Sequence, residues 1–301
     1  MPAPDAAARD LRRAPRRYGA ARLRLYGAVR WLGSRAWPGR AAYACWLARG
    51  GARGERVELT VPGLPAAADG LRIVQLSDFH AGPFLDEAAL QPVLDLARSF
   101  EPHLLALTGD FITDTVDDAR LLGRAFAEIP ALLGKFAVYG NHDYRGRREG
   151  ELTAWLRRQG VRALRNEHVV IGHGGARVLL AGLEDIEESR GADLQAALRC
   201  SDGREHVRVL LCHHPDVVDA LPPGAFHLVL SGHSHGGQIV LPLLGPLARG
   251  WLPRRVRGDF DLPGGGRLHV NRGIGVLVAP WRVGAQAEVT CVTLRVAVRR
   301  D

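Results

Sequence analysis

The chain has 301 residues, 47% of them hydrophobic and 24% charged. That is the profile of an ordinary globular protein, too long for a small disulfide scaffold and too apolar for a wholly disordered chain. The net charge of +8 is uneven: residues 1–54 hold twelve Arg against Asp5 and Asp10, so this segment is +10 and the remainder −2. A nucleic-acid role for the whole protein is weakened, because the body lacks a surplus of basic residues.

Met1 to about Tyr18 is rich in Ala, Pro and Arg and reads as disordered. Ala20–Ala36 reads as a helix, with Ala21, Leu25, Ala28, Val29 and Leu32 on one face, Arg30 opposite, and Tyr26 and Trp31 flanking. Two readings stand for it: an interfacial helix on anionic lipid, or a basic helix packed on the body of the protein. Gly50–Gly54 reads as a linker, which divides the chain into a basic arm, 1–54, and a domain, 55–301.

The uncharged run Ala41–Ala48 is too short to span a bilayer, which needs roughly 18–20 residues. Arg12-Arg13 and Arg16-Arg17 resemble a twin-Arg export signal, but Arg22, Arg24 and Arg30 break the apolar segment that should follow. The sequence therefore favours a cytoplasmic protein, peripheral on the inner membrane if the arm binds lipid. Cys45, Cys200, Cys212 and Cys291 form no CxxC pair and read as free thiols in a reducing compartment, with Cys212 a small core residue.

Beyond Glu55, short apolar runs alternate with helical patterns. Strands are expected at Leu71–Leu76, Leu104–Leu107, Phe136–Tyr139, Val178–Ala181, Val207–Leu211, Leu228–Leu230, Leu268–Val270 and Val289–Leu294. Helices are expected at Asp86–Ser99, Asp117–Ile129 and Glu149–Gln159. This alternation argues an α/β fold.

Polar clusters follow these strands: Asp78-Phe79-His80, Thr108-Gly109-Asp110, Gly140-Asn141-His142-Asp143, Cys212-His213-His214-Pro215 and Gly232-His233-Ser234-His235-Gly236. Ligands of open α/β sheets bind at the carboxyl ends of strands, so the five clusters could share one site. Each alone is weak: a GD is a common turn, and an HxH is often incidental. Together, two carboxylates, several imidazoles and a carboxamide suit Mn²⁺, Fe²⁺ or Zn²⁺, and one carboxylate can bridge two such ions.

In this order the clusters resemble the calcineurin-like metallophosphoesterases, whose motifs run DxH, GD, GNH(D/E), a lone His, then GHxH. The resemblance covers roughly Val57 to Arg295. LSDFHAG, LTGDFITD, VYGNHDY, LLCHHPD and SGHSHGGQIVLPLLGPL are similar to a bacterial branch of membrane-associated phosphohydrolases that includes some UDP-2,3-diacylglucosamine hydrolases.

The resemblance implies a four-layer αββα sandwich and hydrolysis of a phosphodiester or pyrophosphate by a metal-bridging hydroxide. It implies one cation on Asp78, His80, Asp110 and His235, and a second on Asp110, Asn141, His213 and His233. It makes His142 the catalytic imidazole and Asp143 the residue that orients it. His213 is preferred to His214 because it stands two residues before Pro215.

The substrate is less defined. The basic arm and the apolar segment Ile239–Leu247 lean toward a lipid-linked phosphoester, with UDP-2,3-diacylglucosamine of lipid A biosynthesis one example. The alternative for Ile239–Leu247 is a loop packed on the C-terminal strands. Ala285-Gln286-Ala287-Glu288 departs from the branch, which has Arg-Pro-Glu there, and is given no role. The competing functions are a nuclease or nucleotide phosphodiesterase of the same superfamily and a non-catalytic metal-binding scaffold.

Overall fold

The computed structural model describes residues 39–297, apart from 190, 248, 250, 251 and 278. The disordered stretch and helix expected within residues 1–36 lie outside the described residues.

The first half of the chain builds one sheet. Its strands are β1 (Ala52–Val61), β2 (Arg72–Leu76), β3 (Leu104–Leu107), β4 (Lys135–Ala137) and β5 (Val161–Ala163). The second half supplies β6 (Glu167–His173), β7 (Ala176–Gly182), β8 (Val207–Leu211), β9 (Leu228–Ser231), β10 (Val240–Leu241), β11 (Gly245–Pro246), β12 (Gly258–Leu262), β13 (Gly266–Val270) and β14 (Ala287–Val296). The first sheet has the order β1-β14-β2-β3-β4-β5, so the last strand returns to sit inside it. The second has the order β12-β13-β9-β8-β7-β6, and β10 and β11 form a separate small hairpin. β2 to β5 run parallel, as do β7, β8, β9 and β13.

Strand composition follows from burial on both faces. In β2, Ile73 packs between the sheets with Leu104, Ala106, Val178, Leu180, Val209 and Leu228. Its neighbour Val74 packs outward with Leu105, Leu107 and the helices. These are α1 (Gly39–Trp46), α2 (Glu87–Ser99) and α3 (Glu149–Arg158). A thinner outer layer, including the 3₁₀ turn Pro215–Ala220, covers Leu179, Leu210 and Val229 on the second sheet. The result is the expected four-layer αββα arrangement. Helix α2 is capped by Asp86, whose Oδ1 accepts the Ala89 N–H at 3.0 Å, and it buries Leu90, Val93 and Leu94.

Two expectations need correction. Gly50–Gly54 is not a linker. Residues 52–54 open β1 and pair in parallel with Ala287–Val289 of β14, and Tyr43 and Leu47 just before them are buried in the core. Arg40 ties α1 to the domain through Asp86 at 3.3 Å and the Gly82 carbonyl at 2.8 Å. The helix expected at Asp117–Ile129 is a 3₁₀ segment, Val116–Leu122, followed by turns. Gly123, in the left-handed region at φ 51°, ends it, and Lys135 takes up the free carbonyls of Phe126 and Ala127 at 2.6 and 2.9 Å.

Candidate metal centre

The carboxyl ends of β2, β3, β4, β8 and β9 meet at one edge of the two sheets, bringing the motif residues together. Asp110 is the hub. Its Oδ2 lies 3.3 Å from His80 Nε2 and 3.3 Å from His213 Nε2, while Oδ1 accepts the His142 N–H at 2.9 Å. Asp78 Oδ1 faces His235 Nε2 at 3.4 Å and accepts the His233 N–H at 3.0 Å. The Nε2 atoms of His80 and His235 are 2.9 Å apart. Asn141 Oδ1 stands 3.0 Å from His233 Nδ1. His214 points away from Asp110, toward Glu187.

Local backbone is bent to achieve this. Asp78, His80, Asp110, His233 and His235 all hold positive φ, between 47° and 73°. Such conformations cost non-glycine residues on the order of 1 kcal/mol or more each and cluster where function demands them. Two glycines permit the close approach: a Cβ on Gly140 would overlap Asp110 Oδ1, and one on Gly232 would overlap Asp78 Oδ2.

The electrostatics leave most of the imidazoles neutral. Burial pulls His80 and His233 well below the usual imidazole range, and His235 and His142 to about 4. His213 is the exception: burial lowers it, but the Asp110 carboxylate outweighs this and raises it well above its ordinary value. Burial pushes Asp110 up, but His213 and His142 overcome it and hold the carboxyl well below its ordinary value. His213 donates Nδ1–H to the Thr108 carbonyl at 2.7 Å, which turns Nε2 toward Asp110, and that Nε2 is buried without a hydrogen-bond partner. Buried neutral nitrogens spaced 2.9–3.4 Å from carboxylate oxygens and from each other make a donor set that fits divalent cations.

The expected role of Asp143 is corrected. Its carboxylate does not orient the His142 ring. It accepts backbone N–H groups of Asp110 and Phe111 at 2.8 Å, Gly140 at 2.9 Å and Ile112 at 3.3 Å, so it braces the loop that carries Asp110. The His142 ring is set by the Thr113 carbonyl, 2.8 Å from Nδ1.

Several residues escaped the sequence reading. Arg145 donates to His142 Nε2 at 3.2 Å and is held by the Thr113 carbonyl at 2.7 Å and by Asp114 at 3.0 Å. Arg282 is buried and donates to the carbonyls of Gly275, Arg272 and His235 at 2.6, 2.8 and 3.2 Å. The loop before β14, given no role from the sequence, thus staples the His233–His235 turn. Glu288, the second residue of β14, is buried against His269 and Arg272. The acidic run after β7 brings Glu187 near His214 and His233. Its signal was available: β7 is another parallel strand ending at the same edge.

In the segment Ile239–Leu247 the base, Ile239–Leu241, is half-buried beside Val283 and Gly284, just before β14, and the tip is exposed. The segment forms the β10–β11 hairpin, anchored at its base by a bridge between Ile239 and Val283. Leu243 at its tip is fully exposed, Leu244 is 71% exposed, Leu247 64% and neighbouring Trp281 52%.

A sequence profile of the calcineurin-like phosphoesterases matches residues 71–237. The chain is 30% identical to the metallophosphoesterase YkuE of Bacillus subtilis over 77% of its own length and 82% of that protein's. It is 31% identical to an uncharacterized metallophosphoesterase of Aquifex aeolicus, covering 81% of this chain and 92% of that one. It is also 31% identical to a bovine transmembrane protein with a metallophosphoesterase domain, over 80% of this chain and 56% of that one, so the chain spans little more than half of that relative. No helix among the described residues is long and apolar enough to cross a membrane. A 5'-nucleotidase precursor from Thermus thermophilus is similar in structure at a TM-score of 0.45 and 16% identity, over 74% of this chain and 54% of that one.

Proposed function

The chain belongs to the calcineurin-like phosphoesterase family and is a metal-dependent phosphohydrolase, and from that premise we propose how its residues divide the work. Asp78, His80, Asp110 and His235 would hold one divalent cation; Asp110, Asn141, His213 and His233 would hold the other. The observation that supports this is Asp110 Oδ2, 3.3 Å from the Nε2 atoms of both His80 and His213, a placement that would let one carboxylate serve both cations. When bound, two cations lower the pKa of water and neutralise charge on a phosphate.

The chain's own groups do the rest. His142, with Nδ1 tied to Thr113, presents Nε2 beside the Arg145 guanidinium. With an anionic phosphate bound and Arg145 turned from Nε2 to a phosphoryl oxygen, His142 Nε2 takes up a proton from solvent and passes it to the leaving oxygen, while Arg145 supplies positive charge for the phosphoryl oxygen. Asn141 contributes a ligand oxygen without adding negative charge. Asp143 keeps the Asp110 loop in place through its four backbone contacts.

The substrate class we propose is a lipid-linked phosphodiester or pyrophosphate, met at an anionic membrane surface. The exposed leucine hairpin, which starts four residues after His235, supports this reading, and so does the +10 charge of residues 1–54. The test is Mn²⁺-loaded protein assayed on bis-nitrophenyl phosphate, nitrophenyl phosphate, UDP-2,3-diacylglucosamine and single-stranded DNA. The expected result is diester or pyrophosphate hydrolysis, fastest on the amphiphile. Fastest cleavage of DNA would refute the lipid-linked substrate. Asp110→Ala should lose both Mn²⁺ equivalents together with activity, and retention of both would refute the bridge.

A further inference from the structure

Glu187 lies in the turn after β7, outside every family motif in the sequence. Asp185 fixes that turn: its Oδ1 accepts the N–H groups of Glu187 at 2.9 Å and Glu188 at 2.8 Å. The turn brings Glu187 Oε1 to 3.3 Å from His214 Nε2, and Oε2 to 3.9 Å from His233 Nε2. The two imidazole rings lie 4.4 Å apart, tilted by 37°. His214 is fully buried, and the Glu187 and His233 side chains are nearly so.

Three such groups could hold a cation of their own, but the tautomers argue otherwise. His214 Nδ1 accepts the Asp216 N–H at 3.2 Å, so the ring proton of neutral His214 sits on Nε2, facing Glu187. A nitrogen that carries its proton offers no lone pair to a metal. His233 Nδ1 meets Asn141 Oδ1, an oxygen that only accepts, so the proton of the neutral ring sits on Nδ1 here; ligation through Nδ1 would require that proton at Nε2, where Glu187 is the facing carboxylate. Glu187 therefore faces one imidazole N–H, that of His214, and would face a second if His233 ligated through Nδ1.

The ligand histidine His213 has its second nitrogen tied to the Thr108 carbonyl. No carbonyl serves His233 in that way among the described hydrogen bonds, and a carboxylate stands there instead. Ligand imidazoles take their tautomer, orientation and basicity from such a partner.

We infer that Glu187 is a positioning residue for the second cation: it would hold the His233 proton at Nε2 and so leave Nδ1 free to ligate. The inference rests on the proposed ligand assignment. Coordination at Nδ1 would make Nε2–H more acidic and strengthen its attraction to the carboxylate.

The test is titration of metal-free full-length protein with Mn²⁺, read by calorimetry and by the exchange-coupled electron paramagnetic resonance signal of the pair. Glu187→Ala should bind the first equivalent as the wild type does and the second about 10–100-fold more weakly, with loss of the coupled signal. Glu187→Asp, which keeps the charge, should recover part of that affinity, which a purely structural defect would not do. Unchanged affinity for both equivalents in Glu187→Ala overturns the inference. So does a third equivalent in the wild type that Glu187→Ala loses, since the cluster would then be a cation site itself. His233→Ala separates the two levels: if it still binds both equivalents normally, the ligand assignment fails, and this inference fails with it.

Discussion

His269 offers a stability prediction whose sign and size can be worked through. It lies on β13 of the second sheet, buried, and donates to Asp259 Oδ1 at 2.8 Å and to Glu288 Oε1 at 2.9 Å on β14 of the first sheet. Arg272 holds the other oxygen of Glu288 at 2.5 Å. Burial disfavours the imidazolium, but the hydrogen bonds to Asp259 and Glu288 outweigh it and raise the pKa to about 9. The same contacts hold Glu288 below its ordinary value against the opposing effect of burial. A histidine raised from 6.5 to about 9 contributes about 3 kcal/mol to folding. Because the folded-state value is raised, that contribution is complete below pH 6.5 and is lost as pH rises through 9. The perturbation is His269→Gln, and the assay is urea denaturation of metal-free protein at pH 6, 8 and 10. Subtracting variant from wild type removes the titration of the other buried groups. The wild type should lead by about 3 kcal/mol at pH 6 and lose that lead by pH 10. A gap of equal size at pH 6 and pH 10 would show that the imidazolium does not bridge the sheets.

The other predictions concern the site and its rim. His142→Ala should slow hydrolysis of alkyl phosphodiesters by about 10²–10⁴-fold and nitrophenyl esters much less, because a nitrophenolate leaves without a proton; equal losses in steady-state rates would remove the acid role. Replacing Leu243, Leu244 and Leu247 with Ser should weaken binding to anionic vesicles in flotation by about 10³-fold or more, since each leucine withdrawn from lipid forfeits about 1.5–3 kcal/mol. Its melting temperature should hold, because these side chains are already exposed. Undiminished flotation would leave the hairpin without a lipid role. Truncation to test the arm should stop before residue 39, since Tyr43, Leu47 and β1 belong to the packed domain.

The groups of the metal centre were legible because they pair unusual chemistry with a simple rule of place. Asp, His and Asn directly after apolar runs are what parallel strands deliver to one edge. Asp143 was misread because adjacency in sequence suggested adjacency of side chains, yet on a tight turn neighbouring residues point apart. β1 was missed because its first half is Ala-Arg-Gly-Glu, and only Val57, Leu59 and Val61 are buried beyond it. Edge strands such as β6 bury one face at most, which weakens the apolar signal. Glu187 was illegible for another reason. The run Glu184-Asp185-Ile186-Glu187-Glu188 offers four acids, and only the turn capped by Asp185 decides which one reaches His233. Tyr144 and Arg165 take Glu184 instead.

The charge of the centre follows from this arrangement. Asp78, Asp110, Asp185 and Glu187 gather at one edge, with His213 beside Asp110 and Arg145 beside His142; Asp143, pushed up to about 8 by burial and by Asp110, adds little charge at neutral pH. An anionic phosphate is repelled by such a bowl unless cations fill it first. Metal binding is therefore a precondition for substrate binding as well as for chemistry. The surplus of Arg in residues 1–54 cannot substitute for it, because Asp78 and Asp110 stand in the first layer around the histidines, where a bound phosphate must come. Removing metal should thus abolish phosphate-analogue binding outright, and a phosphate analogue that bound metal-free protein with unchanged affinity would contradict the electrostatic argument.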